Sequence, residues 1–282
     1  MCKYVEEKTK AKYRAEDCVT ISLEELNACD VRGIYEKLVK THDFQKVIVN
    51  AVCYADLKVF AAAMVRAIKD GKEFIIRSAA SLPKVLGRIE DQPILCRDQL
   101  LEPTKNVGLV IFGSHVKKTT QQLDELKTTD KDIDFIEFHV RVCFDENLME
   151  DEISRIVEVL ERQIAGGHTV VIYTSRRLLS PADMTVEEKL RLSVRISEAV
   201  TSIIRRIKVK PRFLIAKGGI TSSDVGTKAL HVKKARVMGQ VRSGIPVWRT
   251  GAESKFPGMP YIIFPGNVGE NSTLKEIVEE LI

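Results

Sequence analysis

One stretch constrains this chain more than any other: PRFLIAKGGITSSDVGTKAL, residues 211–230. Phe213–Ala216 is an apolar run of strand length. It stops at Gly218-Gly219, and Thr221, Ser222 and Ser223 follow, all residues that favour a helix N-terminus. A strand that passes through two glycines into a helix aims free backbone N–H groups and a helix dipole at one spot. That arrangement suits an anion such as phosphate. The glycines let a ligand approach the backbone without interference from Cβ. The stretch has neither a P-loop signature nor a GxGxxG fingerprint. An ordinary tight βα turn would carry the same residues, so the rest of the chain has to decide.

With 282 residues, 44% hydrophobic and 29% charged, the chain can build one large or two modest α/β domains. The net charge of +5 is spread out, with no basic stripe or tail, which argues against a nucleic-acid partner. No apolar run reaches the length of a membrane span. The first 17 residues are too charged for a signal peptide. A cytoplasmic protein with no membrane partner is the expectation. The six cysteines (Cys2, Cys18, Cys29, Cys53, Cys96, Cys143) include no CxxC pair and read as reduced thiols.

Taken in order, the polar start leads to a strand at 19–21 and a capping box at Ser22 and Glu25. A helix over 30–40 and a strand over 46–51 follow. A helix over 56–69 has Leu57, Phe60, Ala61, Met64, Val65 and Ile68 on one face. Phe74–Arg77 reads as the next strand. Arg77 at its end is a candidate for a substrate carboxylate or phosphate, although a structural ion pair would use the same residue. Pro83, Pro93 and Pro103 punctuate a boundary, giving domains 1–102 and 103–282. Beyond it come strands over 109–112, 135–142 and 169–173, helices over 119–126, 151–165 and 185–207, and short strands around a Gly-Ile-Pro turn in 235–249. A last strand, 261–264, precedes a helix opened by a Thr273/Glu276 capping box. Strands separated by helices imply parallel βαβ units.

Three of these strands end in a glycine turn with small polar residues: Gly113-Ser114, Gly218-Gly219-Ile220-Thr221 and Gly266-Asn267. At one edge of a parallel sheet they would line a single crevice. That placement points to a nucleotide phosphate.

The segments EKTKAKYRAED, GSHVKKTTQQL, AKGGITSSDV and VWRTGAESKFPGMPYIIFPGNVG resemble the four-carbon acid sugar kinase family across essentially the whole chain. The resemblance implies two α/β parallel-sheet domains, the first binding the acid sugar and the second ATP. It also implies phosphorylation of threonate, erythronate or 3-oxo-tetronate, with Mg²⁺ serving phosphoryl transfer. On this resemblance Ser114, Gly218, Gly219, Ile220, Thr221, Ser222 and Gly266 contact the nucleotide. Two departures stand out. Many members carry an acidic residue where this chain has Ile220, which leaves Asp224 as the nearest carboxylate. It is a candidate for the metal or the catalytic base, with His115 the other base candidate. Members also begin with a strand and an Asp-Asp turn that do not precede Met1, so the first domain reads as incomplete.

The expected activity is therefore an ATP-dependent acid sugar kinase, a phosphotransferase with an alcohol acceptor. The alternative is a truncated or split member that binds nucleotide and relies on another chain, or on self-association, for the rest. A nicotinamide-dependent dehydrogenase would need the fingerprint that the sequence lacks.

Overall fold

In the computed structural model, residues 1–103, 107–113, 116–176 and 184–282 are described. They form two compact units, Met1–Asp91 and Gln92–Ile282.

The first unit opens with helix α1 (Cys2–Lys8), strand β1 (Val19–Ile21), and helices α2 (Leu23–Asn27) and α3 (Val31–Lys40). Strand β2 (Val47–Val49), α4 (Tyr54–Lys69) and the short α5 (Ser81–Leu86) complete it. β1 and β2 pair in parallel. The Ser22/Glu25 capping box forms as the sequence predicts. The core gathers Ile21, Leu26, Ile34, Leu38, Phe60, Met64 and Ala67. α4 is rotated from its expected face: Ala63 and Ala67 point inward, while Val65 and Ile68 stand 41% and 46% exposed. Small residues let α4 close on its neighbours, and the larger aliphatics are left outside. Phe74–Arg77 is not a strand. No described strand lies beside it, and Ile75 is 91% exposed. A β-rich run needs a neighbour to satisfy its backbone, and without one it forms no strand.

The second unit contains α6 (Arg97–Leu100), β3 (Gly108–Phe112), α7 (Lys117–Leu126), β4 (Ile133–Phe138), α8 (Glu146–Gly166) and β5 (Thr169–Thr174). It continues with α9 (Val186–Arg206), β6 (Phe213–Lys217) and α10 (Gly219–Asp224). A π turn (Val225–Ala229), β7 (Ala235–Arg242), β8 (Ile245–Thr250), β9 (Pro260–Phe264) and α11 (Thr273–Leu281) complete it. Residues 92–102 pack here and not with the first unit, because Leu100 and Leu101 join the core of α7, α11 and the sheet. The strand order among the described residues is β4-β5-β3-β6-β9-β8-β7. The first five are parallel, and β8 and β7 run antiparallel at one edge.

Both faces of this sheet are covered, which is why its strands read as unbroken apolar runs. Leu109, Ile111, Leu214 and Ala216 face α8, α9 and the π turn. Val110, Phe112, Phe213 and Ile215 face α6, α7 and α11. Gly108 leaves room for the ring of Phe213, itself 1% exposed and unable to swing away. Gly108→Ala should therefore overpack this core and cost about 2 kcal/mol. In thermal denaturation that is a fall in Tm of about 5 °C, and an unchanged Tm would refute the packing.

Two elements begin differently from the sequence expectation. β4 is shorter, and a 3₁₀ turn follows from Val140 to Phe144. The Thr273/Glu276 box does not form. Ser272 takes the N-cap position without capping a backbone N–H: its hydroxyl donates to Glu276 Oε1 (2.6 Å), while Thr273 Oγ1 accepts from the Glu270 N–H (2.8 Å) in the loop before it. The box at Thr185 and Glu188 is present.

Candidate functional site

β3, β6 and β9 are adjacent and parallel, so the turns after all three emerge at one edge of the sheet. After β3 the chain crosses to α7 on one face. After β6 it crosses to α10 on the other. A crevice opens where neighbouring connections part in this way, and it is where open α/β sheets bind ligands.

The central turn is set by Gly218, whose φ of 115° and ψ of 141° suit glycine alone. Its N–H donates to Phe264 O (2.8 Å), joining the β6 turn to the end of β9. Helix α10 then begins at Gly219, earlier than the hydroxyl residues suggest. The N–H groups of Gly219, Ile220 and Thr221 form its first turn, and none has an acceptor among the described residues. α10 runs on into the π turn, so its dipole is longer than its six residues. On the opposite face α7 starts at Lys117 with no side-chain cap from Val116, and the N–H groups of Lys117, Lys118 and Thr119 have no acceptor among the described residues. Two helix N-termini thus meet the crevice from the two sides of the sheet.

The turns also touch each other. A Cβ on Gly113 would overlap the Thr221 side chain, whose Cγ2 would lie 2.9 Å away. The third turn is tied to α7: Thr119 Oγ1 donates to Gly266 O (3.4 Å), and Gln122 Nε2 donates to Val268 O (3.1 Å) and Glu270 O (2.8 Å).

The expected contact residues divide by role. Gly218, Gly219, Ile220, Thr221 and Gly266 lie on the turns at this edge, with Gly113 packed against Thr221. Ser114 and His115 lie outside the described residues. Ile220 offers its backbone N–H, since its side chain is 76% exposed. Ser222 faces inward: its hydroxyl donates to Ala216 O (2.7 Å) or Gly218 O (2.8 Å), and its carbonyl accepts from Tyr261 Oη (2.6 Å). It holds the turn in shape and presents no hydroxyl to the crevice. Asp224 is occupied too, accepting from Ser197 Oγ (2.7 Å) and pairing with Lys228 (2.9 Å). Burial works to raise its pKa, but the hydrogen bonds from Lys228 and Ser197 hold it below the usual carboxylate range. Arg77 belongs to the first unit, exposed, with its guanidinium 5.7 Å from the Tyr4 ring centroid.

A residue that the sequence reading passed over lies beneath the turns. Lys217 is fully buried at the end of β6. Its Nζ donates to Pro265 O (2.5 Å) and Gly266 O (3.2 Å) and lies 4.1 Å from the Phe264 ring centroid. Burial, and to a lesser degree Lys118, lower its pKa to about 8. The available signal was its register: Phe213, Ile215 and Lys217 share one side of the strand.

Among the described residues the site offers no ready metal-ligand set. Asp224, the carboxylate beside the crevice, has both oxygens engaged, and the described residues contain no cluster of three metal-ligating side chains. No described helix is long and apolar enough to cross a membrane.

Residues 109–274 match the model of a nucleotide-binding C-terminal domain, and residues 1–86 that of a sugar-binding N-terminal domain. No curated protein matches the sequence significantly. Among solved structures, the chain is similar to a Salmonella typhimurium LT2 protein described provisionally as a tRNA synthase. That match has a TM-score of 0.60 and 14% identity, and covers 93% of this chain and 60% of the other. A domain of unknown function from Bordetella bronchiseptica, solved as a domain-swapped dimer with bound citrate, matches with a TM-score of 0.47 and 17% identity. It covers 94% of this chain and 58% of the other. The chain therefore spans about three fifths of the length of these structures.

Proposed function

The chain belongs to the four-carbon acid sugar kinase family, and from that premise we propose that its second unit binds ATP in the crevice between the β3, β6 and β9 turns. The observation that carries this reading is the convergence of two uncapped helix N-termini on three glycine turns at neighbouring strand ends. The open amides of Gly219, Ile220 and Thr221 would hold phosphate oxygens, and those at the start of α7 would complete the cradle. The activity proposed for the whole protein is transfer of the γ-phosphoryl group to a hydroxyl of a four-carbon acid sugar such as threonate, erythronate or 3-oxo-tetronate. The protein would act mainly by positioning and by stabilising charge. Mg²⁺ is expected with the nucleotide, and no step of the proposal runs through a protein-held metal.

A second reading rests on the first unit, where β1 pairs with β2 alone among the described strands and Phe74–Arg77 adds none. On that reading this chain binds ATP but needs another chain to hold the acid sugar.

Calorimetric titration of the purified chain with ATP, followed by assays of ADP formation with D-threonate, L-threonate and erythronate, separates these readings. Binding with turnover supports the kinase and sinks the second reading. Binding without turnover supports the second. Failure to bind ATP overturns both.

A further inference from the structure

Lys217 sits where β6 enters the Gly218 turn, with no exposed surface. A buried ammonium is costly unless a charge balances it. Here two backbone carbonyls, Pro265 O and Gly266 O, accept from it, and no described carboxylate pairs with it. Its third N–H has no acceptor among the described residues. The other charged group acting on it is also a cation: Lys118, in the first turn of α7, whose own partner is Glu270 at 3.7 Å. Phe264 lies against it from β9. Positive charge thus gathers under the third turn, and the exposed carboxylate of Glu270 pairs with Lys118 and not with Lys217. Gln122 and Thr119 fix that turn against α7 from the same side, so its carbonyls are held over the lysine.

We propose that Lys217 is the positioning cation of this cradle, and that its counter-charge is the phosphate of the bound nucleotide. The proposal rests on the crevice being the nucleotide site. The lysine does not need to touch the ligand. It fixes the Pro265–Gly266 turn through its hydrogen bonds, and it places a positive charge behind amides that already point outward. Attraction is mutual, so a bound phosphate must make the charged form of Lys217 more favourable.

The linkage has a definite sign. Free, Lys217 loses its proton around pH 8. Beside a phosphate it keeps that proton to higher pH. Below about pH 8 the lysine is charged in both states, and affinity is flat. Above it, binding must restore the proton, so Kd rises by up to about tenfold per pH unit until the bound form also titrates.

The test is calorimetric titration of the full chain with ATP at pH 7.0 and 8.5, each in two buffers of different ionisation enthalpy. At pH 8.5 the ATP phosphates are already deprotonated, so they take up no proton. The expected result is uptake of more than about half a proton per ATP at pH 8.5 and close to none at pH 7.0 from this group. Lys217→Met should abolish the uptake at pH 8.5. Lys217→Arg, which stays charged at every pH used, should bind with a Kd that no longer rises between pH 8 and 9. If either variant fails to fold, the proton count of the unaltered chain still decides. ATP binding with no proton uptake at pH 8.5 overturns the inference and leaves the nucleotide site standing. Uptake that survives Lys217→Met assigns it to another group and also overturns the inference. Absence of ATP binding at any pH removes the site itself.

Discussion

Gly219→Asp is expected to weaken ATP binding by about a hundredfold, because a carboxylate near 5 Å from a phosphate charge costs roughly 3 kcal/mol at an effective dielectric constant of 20. The substitution is clean on the protein side. A Cβ at Gly219 would meet nothing within 4 Å, and the residue does not need the left-handed backbone that Gly218 does. An acidic residue in the first turn of a helix is mildly favourable for folding. The variant should keep the Tm of the parent without ligand and lose the Tm increase that ATP confers. Undiminished affinity in a folded Gly219→Asp protein would falsify the phosphate assignment.

Gly113→Val should also impair binding, by a different route. Its side chain would drive into Thr221, which is 8% exposed and packed beneath the turn. The β3 and β6 turns would be wedged apart, at a cost of about 2 kcal/mol in stability and at least about tenfold in affinity. The structure also identifies the rescue. Thr221→Gly removes the atoms that a Cβ at position 113 would strike, so the double variant Gly113→Ala/Thr221→Gly should recover affinity that Gly113→Ala alone loses. Contacting positions couple in this way and distant ones do not. Strictly additive losses in the cycle would show that the two turns are not in contact.

The parts of the molecule most legible in the sequence are those written locally. Phe213–Ala216 and the two glycines after Lys217 announce a buried strand and a glycine turn into a helix within a few residues. The long helices α8 and α9 carry their apolar stripes and end signals in their own sequence, down to Gly167 in the left-handed conformation and the Thr185/Glu188 box. Legibility fails where a neighbour decides. Phe74–Arg77 has strand composition, but pairing requires a second strand, and none of the described ones lies alongside. Thr273 and Glu276 have capping-box spacing, yet Thr273 turns to the loop and Glu276 accepts from the Ser272 hydroxyl, so the box does not close. Ser222 looks like a ligand hydroxyl, but the backbone carbonyls beside it, reached only once the turn has closed, accept its hydrogen bond. Lys217 is the sharpest case. A lysine next to two glycines reads as a loop residue, and only the approach of the β9 turn shows it to be a sealed-in cation.

The strand order has a consequence for how the chain is made. β3, β6 and β9 are far apart in sequence and lie side by side in the sheet. Closing such long loops is slow, because their entropy is lost before the contacts return anything. During synthesis β6 has its β9-side edge uncovered until Phe264 has left the ribosome, and an uncovered edge invites pairing with the wrong strand. Until then the Gly218 N–H also lacks the carbonyl that anchors it, and Lys217 lacks both of its own. The turn proposed to hold phosphate is therefore not fixed in shape until the end of β9 is in place. At the proposed site a nucleotide would meet its full cradle only on a finished molecule, so its binding would report on the completeness of the fold.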